Sequence, residues 1–133
     1  MNEHQKQIAK QCKQGAENNT MDFPEIVMTL IQAGFDRYIV DFCTSTATYY
    51  LPNGDYVTLD FQGIETAVPE LFNVDSIKKA IYVAQTKAEN YTYTWFCETI
   101  MSAGCTNYLV SLVGKRVVYF GRTGDTHIEH FPK

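Results

Sequence analysis

The chain has 133 residues, of which 45% are hydrophobic and 20% charged, with a formal net charge of −4. These values are those of a single globular domain with its own core, which we expect to span residues 1–133. The acidic balance argues against nucleic-acid binding, which usually needs a basic face, and no apolar run approaches the ~20 residues of a membrane span. The first twenty residues are too polar for a secretory signal peptide, and the four cysteines include no CxxC pair. We therefore expect reduced thiols in a cytoplasmic protein.

The first half of the chain predicts two helices and three strands. A polar helix with a narrow apolar stripe covers residues 3–14, and the segment at 15–20 ends it. A second helix begins at Phe23, with Asp22 as a plausible N-cap, and Gly34 can supply its left-handed C-terminal cap. Alternation with a period of two then predicts strands at 37–42, 46–51 and 56–61.

The second half predicts the same order of elements. After a connector at 62–73 without a clear period, Asn73 or Asp75 can cap a helix over 76–88. A further helix covers 92–103. Three more strands follow at 107–113, 116–121 and 126–131.

The chain therefore contains one unit twice. Residues 23–61 align with residues 93–131 at a constant offset of 70, and nine of the 39 positions are identical, where unrelated sequences would share about two or three. One unit has too little apolar surface to fold alone, but two can bury their apolar faces together. We predict an α+β fold in which two duplicated helix-helix-strand-strand-strand units form one pseudo-twofold domain with an antiparallel sheet. Whether the six strands form one sheet or two stays open, as does a homodimer through the edge strands.

Several motifs resemble those of a known family. The motifs are FPE, AGFDRYIVDF, TATYYLPNGD and YFGRTGDTHIEHFP. They are similar to motifs of the YdfO-like proteins, a bacterial and prophage-encoded family of unknown function whose members are sometimes labelled phage envelope proteins. The resemblance covers almost the whole chain and implies an α+β fold and an occurrence in bacteria or their prophages. It implies no activity, cofactor or catalytic residue.

The two copies differ most in chemistry at their final strands. Val57 and Leu59 of the first copy align with His127 and Glu129 of the second, and the two positions share one strand face. With Asp125 at the preceding turn, this pair could bind a ligand or act as acid and base. No third ligand stands at a spacing known for metal sites, so we expect no metal and no cofactor.

Two structural interpretations of this strand compete with a site. The face of the second copy could be exposed to solvent, or a bulge could turn Ile128 inward in place of its neighbours. Either arrangement would explain polar side chains without a ligand.

The tyrosines that recur in both copies leave a similar choice. Tyr49 and Tyr119 occupy equivalent positions. Equivalent aromatic residues in a duplicated unit most often form the core around the pseudo-twofold axis. Alternatively, the two tyrosines line a ligand-binding groove together with Tyr50 and Phe120.

The sequence contains no glycine-rich phosphate loop, no serine elbow and no assembled catalytic set, so enzyme activity stays uncertain. Our leading hypothesis is an accessory protein that acts by binding a protein or a small ligand. One alternative is a small metal- or acid/base-dependent enzyme centred on His127 and Glu129. The other is a structural phage component.

Overall fold

A computed structural model describes residues 1–61 and 63–132 of the chain. Its elements are α1 (Glu3–Glu17), α2 (Phe23–Gln32), β1 (Arg37–Asp41), β2 (Thr46–Tyr50), β3 (Tyr56–Asp60), α3 (Val74–Thr86), α4 (Tyr93–Ser102), β4 (Cys105–Ser111), β5 (Arg116–Gly121) and β6 (Thr126–His130). The order helix-helix-strand-strand-strand occurs twice, which confirms the predicted α+β fold. Two residues of the predicted domain, Gln62 in the connector and Lys133, lie outside the described residues.

Polar side chains cap the helices at their N-termini. The side chains of Asn2, Asp22, Asn73 and Thr92 each accept a hydrogen bond from a backbone N–H of the first turn. Such a bond satisfies one of the donors that a helix start leaves without an intrahelical partner. Asp22 is the predicted cap of α2, and of the two candidates for α3 it is Asn73 that caps the helix.

Helix α1 is longer than predicted, because Gly15 does not end the helix and packs instead against Met21 in the segment between α1 and α2. The helix continues through Gly15 to Glu17 instead of ending at residue 14. A Cβ atom on Gly15 would lie 2.5 Å from the sulfur of Met21, so any side chain there would displace Met21. The carbonyl of Gly15 also accepts hydrogen bonds from the N–H groups of Thr20 and Met21, at 2.9 and 3.1 Å.

The six strands form one antiparallel sheet in the order β3-β2-β1-β4-β5-β6, which answers the question of one sheet or two. At its centre, Ile39 of β1 lies opposite Leu109 of β4. These two residues are equivalent under the offset of 70, so the pseudo-twofold axis passes between them. The backbone follows the same symmetry, since Gly34 and Gly104 end α2 and α4 with φ angles of 97° and 100°.

The helices cover one face of the sheet, and the buried apolar side chains form one cluster between helices and strands. Alternation along each strand places Tyr38, Tyr49, Tyr108 and Tyr119 on this covered face, with 3% to 6% of each residue exposed. The opposite face of the sheet, called the open face below, carries the alternate residues of each strand, which point away from the helices. In the described part of the chain, no helix has the length and apolar character that a bilayer span requires.

Candidate functional site

A cavity of about 480 Å³ lies between the covered face of the sheet and the helices. Its floor includes Tyr38, Tyr49, Tyr108 and Tyr119, contributed by four neighbouring strands. The duplication therefore brings the recurring tyrosines together around the pseudo-twofold axis, as part of the core and as the lining of the cavity. The volume falls in the range of roughly 300–1,000 Å³ that is usual for small-molecule sites.

Small side chains on the helices leave this space open. Cys12 and Ala16 lie one turn apart on α1, so they face the same way, and Ala84 lines the cavity from α3. Larger residues at these positions would fill the gap above the tyrosine rings. The cavity is thus a consequence of residue size on the helices as much as of the sheet.

Three tyrosine hydroxyls in the cavity have no hydrogen-bond partner within the described part of the chain. The hydroxyls of Tyr93 and Tyr108 are hydrogen-bonded to each other, but those of Tyr38, Tyr49 and Tyr119 bond to none of the described residues. No fully enclosed side-chain nitrogen or oxygen among those residues lacks a partner, so the three hydroxyls reach the cavity space. Groups that open onto this space can be hydrated, so they are not unsatisfied buried groups. A molecule with matching groups would take the place of that water, and each hydrogen bond it makes contributes about 0.5–1.5 kcal/mol net.

These hydroxyls are neutral at physiological pH. Burial raises the pKa of Tyr38 and Tyr49 above the ordinary value of 10.0. Burial is also the largest cause of the raised pKa of Tyr119, and the negative charge of Glu129 makes a smaller contribution. Each hydroxyl can therefore donate one hydrogen bond and accept others.

His127 and Glu129 form a hydrogen-bonded pair on the covered face of β6. The Nε2 atom of His127 lies 3.1 Å from the Oε1 atom of Glu129, and the two side chains are 12% and 34% exposed. The imidazole also stacks on the ring of Tyr119, with centroids 6.2 Å apart. The pair therefore lies beside the tyrosine floor and is not fully exposed to solvent.

The β5–β6 hairpin contains no bulge that would turn Ile128 inward. Its register runs without a shift from Arg116 opposite His130 to Phe120 opposite Thr126. Ile128 consequently lies on the open face, where 46% of it is exposed. The bulge interpretation of this strand is wrong, because continuous pairing preserves the alternation of side chains.

The predicted site residues are only partly brought together. Glu129 lines the cavity, whereas His127 does not. The imidazole of His127 is hydrogen-bonded to the Glu129 carboxylate. Asp125 is exposed in the β5–β6 turn, roughly 13 Å along the strand from Glu129. The predicted groove of four aromatic residues is also wrong, because Tyr50 and Phe120 follow Tyr49 and Tyr119 directly and point to the open face.

The cysteines and the grouping of possible metal ligands bear on two further kinds of chemistry. All four cysteines are unpaired, and burial raises the pKa of Cys12 to about 11 and those of Cys97 and Cys105 to about 12. These three thiols stay protonated at neutral pH and are weak nucleophiles. Within residues 1–61 and 63–132, no three His, Cys, Asp or Glu side chains come together as a metal site would require.

Polar contacts join the two connectors at the rim of the cavity. The ammonium of Lys87, just after α3, lies 2.7 Å from a carboxylate oxygen of Asp22, just before α2. The side-chain oxygen of Asn19 accepts a hydrogen bond from the backbone N–H of Tyr93 at 2.8 Å. The ion pair is exposed and screened by solvent, so it positions the connectors more than it stabilises the fold.

A family model described as a protein of unknown function, DUF1398, matches residues 8–129. The chain belongs to this family. The match spans both copies of the repeat and most of the cavity, and it confirms the resemblance to a family of unknown function in that general form. The YdfO-like and prophage labels stay predictions. No curated protein shows a significant match to the chain.

Sequence reasoning missed the residues that the helices contribute to this DUF1398 domain. The sequence predicts only that Cys12 and Ala16 belong, with Ile8, to the narrow apolar stripe of the first helix, since nothing in such a stripe indicates that it faces a gap. A signal did exist at Tyr93, which replaces Phe23 of the first copy and adds the hydroxyl that bonds to Tyr108. Like the change at the final strand, it adds a polar group to the second copy alone.

Converting the final strand of the second copy to the residues of the first is expected to stabilise the protein. His127→Val with Glu129→Leu removes two partly buried polar groups and adds apolar surface, so the free energy of unfolding should rise by about 1–2 kcal/mol. Urea denaturation measures this change. The matched control is the reciprocal variant, Val57→His with Leu59→Glu, which should lower stability. A less stable converted variant would show that the His127–Glu129 pair is itself a net structural contact.

Proposed function

We propose that this DUF1398 protein binds a small, largely apolar molecule in the cavity between its helices and its sheet. The observation that carries the proposal is the set of three neutral tyrosine hydroxyls, of Tyr38, Tyr49 and Tyr119, that face a 480 Å³ space and bond to none of the residues that the structure describes. Such groups are free to bond to a molecule in the cavity, which would replace their hydration with hydrogen bonds and stacking contacts.

The lining suggests the chemistry of the ligand. Tyrosine and phenylalanine rings favour a flat aromatic or heteroaromatic ring, which gains stacking contacts as well as apolar burial. The hydroxyls suit a ligand that both donates and accepts hydrogen bonds. The oxygens of Glu129 favour a donor at that end, so the ligand class is an uncharged aromatic molecule that carries an amine or hydroxyl group.

A catalytic role for His127 and Glu129 is the second hypothesis. A histidine held by a carboxylate is an arrangement that general acid–base catalysis uses, and Glu129 borders the cavity. Binding remains the better-supported function, because two of the three hydroxyls, those of Tyr38 and Tyr49, lie on β1 and β2, away from His127 and Glu129 on the edge strand β6.

The proposal is tested by titrating the protein with two neutral aromatic probes, naphthol and naphthylamine. The change in probe fluorescence measures binding. Tyr119→Phe should weaken binding about tenfold, because one lost hydrogen bond corresponds to about 1.4 kcal/mol. The matched control is Tyr56→Phe, which removes a hydroxyl from a residue that is 61% exposed on the open face and should leave binding unchanged.

A second variant separates the cavity from other apolar surfaces. Ala84→Phe places a ring in the open space and should abolish binding while the protein stays folded by circular dichroism. If wild-type protein binds neither probe, or if Ala84→Phe binds as well as wild type, the proposed function is wrong. Recovery of a chemically altered probe that depends on His127 would favour the catalytic hypothesis instead.

A further inference from the structure

The open face of the sheet is organised in three rows that cross all six strands. The register places six residues in the middle row, in strand order: Thr58, Thr48, Ile39, Leu109, Val118 and Ile128. Four neighbours in this row are aliphatic. They form an apolar stripe from the centre of the sheet to the edge strand β6, where Ile128 is 46% exposed.

The two outer rows carry opposite charges. One outer row contains Arg37 and Arg116 and no carboxylate. The other contains Asp41 and Asp60 and no basic residue. The apolar stripe therefore lies between a positive and a negative row.

The central charges have interactions of their own but keep capacity for more. Arg37 contacts Asp36 at 3.2 Å and lies over the ring of Tyr50 at 4.1 Å. A guanidinium has five N–H donors, so these contacts leave several for a partner. The Oδ1 atom of Asp41 accepts from the N–H groups of Cys43 and Thr44, which leaves its Oδ2 atom for another donor.

We propose that two copies of this chain pack through their open faces, related by a twofold axis that runs across the strands along the middle row. This axis exchanges the outer rows, so that Arg37 of each copy faces Asp41 of the other. The same operation lays the apolar stripe of one copy against its own counterpart. The result is a two-sheet sandwich, in which aligned sheets pack about 10 Å apart.

The charge pattern selects this axis over the other face-to-face arrangement. An axis parallel to the strands would place Arg37 and Arg116 against the positive row of the second copy, and Asp41 and Asp60 against its negative row. Like charges brought together at an interface repel each other and strongly disfavour the complex. Aligned sheets cross at about 30°. Because this rotation is centred on the middle of the face, it displaces the central strand β1 little. Arg37 of one copy and Asp41 of the other therefore stay within reach of each other.

The size of the face fits a second copy that binds with modest affinity. Six strands and five residues give a face of roughly 29 Å by 17 Å. Two such faces bury on the order of 1,000 Å², which is near the lower limit for a specific interface. A self-complementary pattern is what a twofold dimer requires, whereas an unrelated partner would not need positive and negative rows of equal extent.

Sedimentation of the full-length protein over a series of concentrations tests the proposal. Wild type is expected to pass from monomer to dimer at micromolar concentrations. Leu109→Lys, at the centre of the stripe, should keep the protein monomeric. The matched control is Val113→Lys, which replaces a residue that is 76% exposed in the β4–β5 turn and should dimerise like wild type.

Exchanging the charges at positions 37 and 41 tests the axis. Because the test looks for restored binding in a mixture of two variants, an unfolded variant would not produce the expected result. Arg37→Glu alone and Asp41→Lys alone should each weaken the dimer at least tenfold, because each homodimer then brings two like-charged pairs together. A mixture of these two variants restores both opposite-charge contacts and should dimerise close to the wild-type affinity.

Three results would overturn the proposal. The first is a wild type that stays monomeric throughout, which leaves the face to a different partner. The second is a dimer that Leu109→Lys does not affect. The third is a mixture of Arg37→Glu and Asp41→Lys that dimerises no better than either variant alone, which would reject the proposed axis.

Discussion

Gly104→Ala is expected to lower the free energy of unfolding by about 3–5 kcal/mol, whereas Gly34→Ala at the equivalent position should cost only about 1–2 kcal/mol. Both glycines have a φ angle near +100°, which L residues with a side chain rarely adopt. A Cβ atom on Gly104, however, would lie 2.3 Å from the carbonyl oxygen of Leu71 and 3.0 Å from the Cα of Phe72. The connector before α3 would have to move.

The pair of glycines separates backbone strain from steric clash. A Cβ atom on Gly34 would meet only the side-chain nitrogen of Gln5, at 3.5 Å, which is ordinary contact. Urea denaturation of both variants gives the two values under the same conditions. Equal losses would mean that the connector at Leu71 and Phe72 shifts at little cost, and that the conformation of the glycine alone decides stability at both positions.

Stability is expected to fall steeply as the pH rises above about 9, and the protein should unfold before about pH 11. Burial raises the pKa of the cavity tyrosines in the folded state, while the unfolded chain returns to the ordinary values of 10.0 for tyrosine and 9.0 for cysteine. Above those values the unfolded state has lost protons that the folded state retains. At a pH above its unfolded-state pKa, each such group therefore lowers the free energy of unfolding by about 1.4 kcal/mol per pH unit. The full stability is present only at a pH below the unfolded-state pKa values.

Denaturant titrations between about pH 7 and 10.5, with tyrosinate absorbance as a second signal, measure this dependence. Tyr119→Phe removes one of the contributing groups, so its stability should fall less steeply than that of wild type. Tyrosines that ionise in the folded protein, well before the loss of helical circular dichroism, would contradict the expectation.

The repeat explains why so much of the fold follows from residue pattern. The spacing of apolar residues and the positions of Gly34 and Gly104 are local properties of the chain, and they placed the elements to within a few residues. The largest error in a helix end was at Gly15, because the sequence does not distinguish a glycine that packs against Met21 from a glycine that ends a helix. Only the packed structure separates these two uses.

The candidate site was predictable where the two copies could be compared. Val57 and Leu59 against His127 and Glu129 indicated a change of chemistry on one strand face, and alternation along that strand was enough to place the pair. The structure places Asp125 apart from this pair, because a turn residue close in sequence lies far along an extended strand. Tyr50 and Phe120 were wrongly grouped with their neighbours, since adjacent strand residues face opposite sides.

The residue pattern alone determined the duplication, the order of elements and the difference between the final strands. Each of these depends on neighbours along the chain or on comparison of the two copies. The cavity and the charged rows of the open face follow only from the assembled fold. A space above four tyrosines depends on the size of Cys12 and Ala16 on a helix distant in sequence. A row across six strands depends on every register between them, which long-range pairing sets.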